Sequence, residues 1–83
     1  MKIEVLGPGC ANCQKLEKEV FNALSELNLD ADVVKVTDLK KIVTYGILMT
    51  PGLVVNGKVI CSGRVPGRGE IKEWLKKAQE GKI

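Results

Sequence analysis

An α/β fold is predicted, with elements in the order β-α-β-α-β-β-α, a four-stranded mixed sheet and helices on both of its faces. Three observations predict it. Short β-branched segments alternate with segments of helical spacing, the pattern of strands joined by crossover helices. An Asn56-Gly57 pair separates two apolar runs and makes the last two strands an antiparallel hairpin, because both turn residues accept positive φ. An amphipathic segment, Glu70 to Glu80, then follows the hairpin. The length of 83 residues suits one domain over residues 1–83.

Each element has its own signal. Lys2 to Leu6 reads as a first strand stopped by Gly7-Pro8-Gly9. It is expected at the centre of the sheet, buried on both faces. Cys13, Leu16, Val20, Leu24 and Leu27 recur at intervals of three and four, so a helix is predicted from Ala11 to Leu27, fading at Asn28. Ala31 to Val36 supplies a second strand, parallel to the first. Thr37-Asp38 caps a short helix that ends at Gly46. After Met49-Thr50-Pro51 come the hairpin strands, then a loop from Ser62 to Gly69 with three glycines and Pro66. The last helix puts Ile71, Trp74, Leu75 and Ala78 on one face, and Gly69 offers its first amides no side-chain oxygen. Leu24 and Trp74 are assigned to the core.

Composition excludes several functions. Apolar residues are 45% and charged residues 28%, the balance of a globular protein. The apolar run at Met1 to Leu6 is too short and interrupted for a signal peptide, and no run reaches membrane-spanning length. A cytoplasmic protein with no membrane partner is therefore expected; a monomer is also expected, though no residue pattern fixes the oligomeric state. The net charge of +3 is spread along the chain, with one Trp, one Tyr and one Phe, which argues against nucleic-acid binding. Three cysteines without a secretion signal argue against a structural disulfide framework.

Chemistry concentrates in Cys10-Ala11-Asn12-Cys13. A C-x-x-C pair either closes a redox disulfide or supplies two zinc ligands. Structural zinc needs four ligands, and the chain has three cysteines and no histidine, so no metal or other cofactor is expected. Placement favours redox chemistry. Cys10 falls at a helix start, where unpaired amides and the helix dipole stabilise a thiolate. Cys13 falls one turn later on the buried stripe. Cys10 is then the attacking sulfur, and Cys13 resolves the mixed disulfide. Thr50-Pro51 adds to this reading. A proline opening a buried strand lacks a ladder donor. An ordinary trans proline at a strand start is one account; a cis Thr50–Pro51 bond beside the active loop is the other, favoured by the C-x-x-C pair, and it would free the Thr50 backbone to pair with a substrate peptide.

These residues resemble the thioredoxin superfamily. Gly9-Cys10-Ala11-Asn12-Cys13 before a long helix, Met49-Thr50-Pro51 about forty residues on, and the hairpin Leu53-Val54-Val55-Asn56-Gly57-Lys58 match its layout over nearly the whole chain. The nearest likeness is to the small, glutaredoxin-sized redox-active disulfide proteins of archaea and bacteria. The resemblance implies a thiol–disulfide oxidoreductase with Cys10 attacking, Cys13 resolving and Pro51 as the cis-proline. It implies disulfide-containing protein substrates and a reductant of thioredoxin-reductase or glutathione type. The dipeptide Ala11-Asn12 is neither the Gly-Pro of typical thioredoxins nor the Pro-Tyr of typical glutaredoxins, and Gly9 stands where thioredoxins carry Trp. Potential and electron donor stay open, so a glutathione-dependent, glutaredoxin-like reductase is the alternative. Copper chaperones also carry C-x-x-C after a first strand, but in the order β-α-β-β-α-β, which makes a metal-binding module a distant third.

Weaker signals remain. Glu4, six residues before Cys10, matches the buried acid of thioredoxins that assists the resolving thiol, and is the candidate proton acceptor. The plainer reading makes it a carboxylate at a sheet edge or end. Cys61 is read as a small core hydrophobe rather than a third redox thiol. Arg64 and Arg68 are read as solvated loop charges, with glutathione carboxylates or an acidic partner as the sharper alternative.

Overall fold

The computed structural model describes residues 1–83. Seven elements follow in order: β1 (Lys2–Leu6), α1 (Ala11–Leu27), β2 (Asp32–Val36), α2 (Leu39–Thr44), β3 (Gly52–Val55), β4 (Lys58–Ser62) and α3 (Arg68–Gln79). This is the predicted β-α-β-α-β-β-α order. The sheet runs β2-β1-β3-β4, with β1 parallel to β2 and antiparallel to β3, and β3 antiparallel to β4. The first strand thus lies inside the sheet, and Ile3 to Leu6 are all buried.

Alternation along β1 divides the interior. Ile3 and Val5 pack with Leu53 and Val55 against Leu16 and Val20 of α1 and Ile71 and Leu75 of α3. Leu6 and Val54 pack on the opposite face with Ile42 of α2 and Ile47. Successive strand residues point to opposite faces, so Glu4 shares the α2 face with Leu6. Helices therefore cover both faces, as a strand buried on two sides requires.

The local devices are those expected of the sequence. Asn28 closes α1 in the left-handed conformation at φ 54°, and Leu29 N–H returns to the Leu24 carbonyl at 3.0 Å. Asp38 caps α2 by accepting from Lys40 N–H at 2.9 Å. Asn56 and Gly57 turn the hairpin at φ 51° and 81°. Beyond it, Leu53 pairs with Cys61 and Val54 with Val59, so Ile60 forms a bulge.

Three expectations need correction. The second strand starts at Asp32, not Ala31. The last helix starts at Arg68, two residues before the expected Glu70, and ends at Gln79. Gly67 is its cap, without a side-chain bond, and Gly69 lies inside the first turn, where Ile71 N–H reaches the Gly67 carbonyl at 3.1 Å. Trp74 is only partly buried at the edge of the core, whereas Leu24 is buried as expected.

Candidate active site

Strand β1 ends at the Gly7-Pro8-Gly9 turn, which delivers the chain to the start of α1. Gly9 takes φ 96°, a conformation that favours glycine. Cys10 is the N-cap of α1, with extended backbone at φ −66° and ψ 167°. Its Sγ accepts a hydrogen bond from Cys13 N–H at 3.2 Å, and its carbonyl accepts from Gln14 N–H at 3.0 Å. A sulfur thus occupies the place where Ser or Asp oxygen ordinarily caps a helix. In the reduced protein the same amide and the helix dipole favour a thiolate there.

Cys10 and Cys13 are joined in a disulfide, with Cα atoms 5.0 Å apart. The two sulfurs differ in access. Cys10 is exposed with its neighbours Pro8, Gly9, Ala11 and Asn12, whereas Cys13 is 5% exposed on the buried stripe of α1. Its sulfur sits directly over Gly7: a methyl group there would overlap Cys13 Sγ, lie 3.1 Å from Cys13 Cβ and come within 3.8 Å of Thr50 Cβ. Gly7, Cys13 and Thr50 therefore converge behind the exposed sulfur.

The segment before β3 forms the other wall. The Thr50–Pro51 peptide bond is cis. Neither the N–H nor the carbonyl of Thr50 takes part in a backbone hydrogen bond, while the Pro51 carbonyl accepts from Gly63 N–H at 2.9 Å. Leu48 and Met49 just before it are 99% and 65% exposed, and Met49 lies against Gly63. Three separate segments, Gly7–Cys13, Leu48–Pro51 and Gly63, thus form one largely uncharged surface.

Glu4 is buried at 7% exposure, so its reading as a carboxylate at a sheet edge or end is corrected. Burial follows from the interior place of β1. Its carboxylate accepts a hydrogen bond from Tyr45 Oη at the end of α2, and no hydrogen bond joins it to Cys13. The bond to the carboxylate, burial and its negative charge together push the Tyr45 hydroxyl above its usual 10.0. No motif marks Tyr45 in the sequence. Its one signal is a phenol placed beside the apolar Ile42 and Ile47, which needs a polar partner when covered.

The arginines also need correction. Arg68 is not in the loop but opens α3, where Nε reaches Glu19 at 3.0 Å and Nη1 reaches Glu26 at 2.8 Å, both on α1. Lys72 joins Glu26 at 3.2 Å. Arg64 is in the loop but pairs with Glu70 at 3.0 Å. Cys61 is a free, partly covered thiol packed against the main core, as expected of a small hydrophobe. No group of three or more His, Cys, Asp or Glu is placed to hold a metal ion. No helix is long and apolar enough to cross a membrane.

Comparisons agree with this geometry. The family model described as thioredoxin domain matches residues 1–76. A thioredoxin of Methanothermobacter thermautotrophicus is 44% identical over 75 residues, covering 90% of this chain and 97% of that protein. A thioredoxin of Methanocaldococcus jannaschii is 39% identical over 80 residues, covering 96% and 92%. A probable thioredoxin of Archaeoglobus fulgidus is 34% identical over 77 residues, covering 89% and 84%. With its exposed and buried cysteines joined at the head of a helix, and with this similarity along nearly its full length, the chain belongs to the thioredoxin-domain family.

Proposed function

We propose that the chain is a thiol–disulfide oxidoreductase acting on disulfides within polypeptides, with Cys10 as the attacking sulfur and Cys13 as the resolving one. The observation that carries this is the unequal access of two bonded sulfurs at the N-terminus of α1. In the reduced protein the Cys10 thiolate attacks one sulfur of a substrate disulfide. A mixed disulfide forms, and the other substrate sulfur leaves as a thiolate. Cys13, as thiolate, then attacks Cys10 Sγ. The bond to substrate breaks, the second substrate thiolate departs, and Cys10–Cys13 is the oxidised product. Two electrons have passed from the pair to the substrate. A dithiol reductase of thioredoxin-reductase type reverses the sequence.

Polypeptide substrates are favoured by the surroundings of Cys10. Thr50 offers a free N–H and carbonyl to an extended chain, in the manner of strand addition. Leu48 and Met49 offer apolar area beside it. Glutathione carries two carboxylates and calls for cations near the dithiol. Arg64 and Arg68 are instead paired with Glu70, Glu19 and Glu26. Thr50 and Pro51 are assigned to substrate binding, and the cytosol, a reducing compartment, is the place assigned to the cycle.

Insulin reduction supplied either by thioredoxin reductase or by glutathione tests the reading. Turnover is expected with the reductase, and none after Cys10→Ser. Cys13→Ser is expected to accumulate the mixed disulfide. Turnover that survives Cys10→Ser overturns the proposal, and equal turnover with glutathione replaces its substrate and donor.

A further inference from the structure

The turn that delivers Cys10 to α1 is thinly held. Gly7 N–H is bonded to the Val36 carbonyl at 2.9 Å, where β1 ends. Pro8 has no N–H, and Gly9 stands at φ 96° with open space where a side chain would be. The one hydrogen bond to Pro8 or Gly9 comes from a side chain: Gln14 Nε2 donates to the Gly9 carbonyl at 3.2 Å. Gln14 follows Cys10 by four residues, one helical turn along the same side of α1. Its own N–H donates to the Cys10 carbonyl at 3.0 Å. Gln14 thus holds the peptide groups before and after Cys10.

That hold bears on the sulfur through the first amides of α1. Cys13 N–H points at Cys10 Sγ, and the N–H groups of Ala11 and Asn12 have no partner within the protein. Any second acceptor within reach competes with the sulfur for them. The Gly9 carbonyl is such an acceptor, because glycine accepts rotations that other residues resist. Swung toward the helix start, its oxygen would take amides from a Cys10 thiolate and set the negative end of a dipole against it. Peptide planarity means that holding the Gly9 oxygen also fixes the Cys10 N–H, which makes no bond within the protein. Charged groups do not supply this setting, since residues 7–12 and 46–51 carry none. Lys15 and Glu17 follow on α1, Lys35 of β2 pairs with Glu17, Asp38 caps α2, and Arg64 pairs with Glu70. Gln14 is neutral, so a neutral replacement leaves all of these in place.

We propose that Gln14 is a positioning residue for the attacking sulfur, holding the Gly9 carbonyl away from the helix start so that the first amides of α1 serve the Cys10 thiolate. The inference rests on the oxidoreductase reading given above. It adds no chemical step: the thiolate attacks the substrate disulfide as before, and Gln14 neither gains nor loses a proton. Gln14 is exposed, so replacing it leaves the core intact.

The test follows alkylation of the reduced protein by iodoacetamide across pH, read at each cysteine by mass spectrometry. Gln14→Met keeps the length of the side chain and removes the donor. It is expected to move the Cys10 profile to higher pH and to slow alkylation about twofold to tenfold at neutrality. Gln14→Arg restores a donor, and in about 1 M salt, where its added charge is screened, it is expected to return the midpoint. A Cys10 profile unmoved by Gln14→Met overturns the proposal. So does an equal loss of rate at every pH, or a Gln14→Arg midpoint that stays with that of Gln14→Met. A Cys10 thiol in the unaltered protein that titrates no lower than free cysteine overturns the oxidoreductase reading itself, so the two failures are distinguishable.

Discussion

Replacing Gly7 by Ala adds one methyl group where the buried sulfur now sits. An ideal Cβ at residue 7 would overlap Cys13 Sγ and crowd Cys13 Cβ at 3.1 Å. Gly7 is not among the glycines with positive φ, so the penalty is one of space alone. Backbone atoms hold both sides: Gly7 N–H is bonded to the Val36 carbonyl at 2.9 Å, and Cys13 lies within the first turn of α1. Forcing an extra methyl into such packing costs about 1–3 kcal/mol.

The cost falls unequally on the two redox forms. In the disulfide, Cys13 Sγ is tied to Cys10 and cannot turn away. In the dithiol it can rotate about χ1 and relieve part of the overlap. Gly7→Ala therefore destabilises the oxidised form more, and the potential rises. With 30 mV equal to 1.4 kcal/mol for a two-electron couple, the ceiling is about 20–65 mV. Equilibration against a dithiothreitol redox buffer, followed by acid quench, alkylation and mass measurement, reads the shift directly. An unchanged or more negative potential refutes the reasoning, because it places the overlap elsewhere or shows it equally in both forms.

Other outcomes follow from the same structure. Leu16→Ala, at a fully buried position between α1 and the sheet, is expected to lower stability by about 2–5 kcal/mol in urea unfolding. Tyr45→Phe leaves the buried Glu4 carboxyl without its donor and is expected to cost about 1–3 kcal/mol. Since the folded protein raises the Tyr45 hydroxyl above 10.0, its contribution is complete below that pH and is lost as pH rises through the folded value. Ultraviolet titration of the single tyrosine checks this, with a midpoint above that of the unfolded chain. Hydrogen bonds from Arg68 hold Glu19 and Glu26 below the usual 4.5, with Lys72 adding to the effect at Glu26. Their stabilisation is therefore present above 4.5 and lost as pH falls through the lower folded values. Arg68→Ala is expected to flatten that acid limb of thermal stability, and an unaltered limb counts against the α1–α3 clamp.

Much of the fold was legible because local signals and tertiary demands agree. The stripe of α1, the Asn56-Gly57 turn and the apolar β3 each pointed to one arrangement. The dithiol was legible for the same reason, since its spacing and its place at a helix start belong to one short segment. Features assembled across the chain were not. Burial of Glu4 depends on β3 closing over β1 and on Tyr45, 41 residues away. The early start of α3 depends on Arg68 meeting Glu19 and Glu26, which no pattern near Gly67 discloses. Nothing local to Gly7 marks it as the floor beneath a sulfur, because that contact exists only once α1 folds back on the sheet.

The strand order has a consequence for how the chain is made. The strand synthesised earliest sits between two others, and one of these is the third to leave the ribosome. Until β3 arrives, one edge of β1 is bare, and the cysteine pair has neither Thr50 nor Pro51 beside it. The nascent dithiol then has its helix start but not the wall that a polypeptide substrate pairs with. Its selectivity is acquired only when β3 pairs with β1 and brings the Thr50–Pro51 segment beside it.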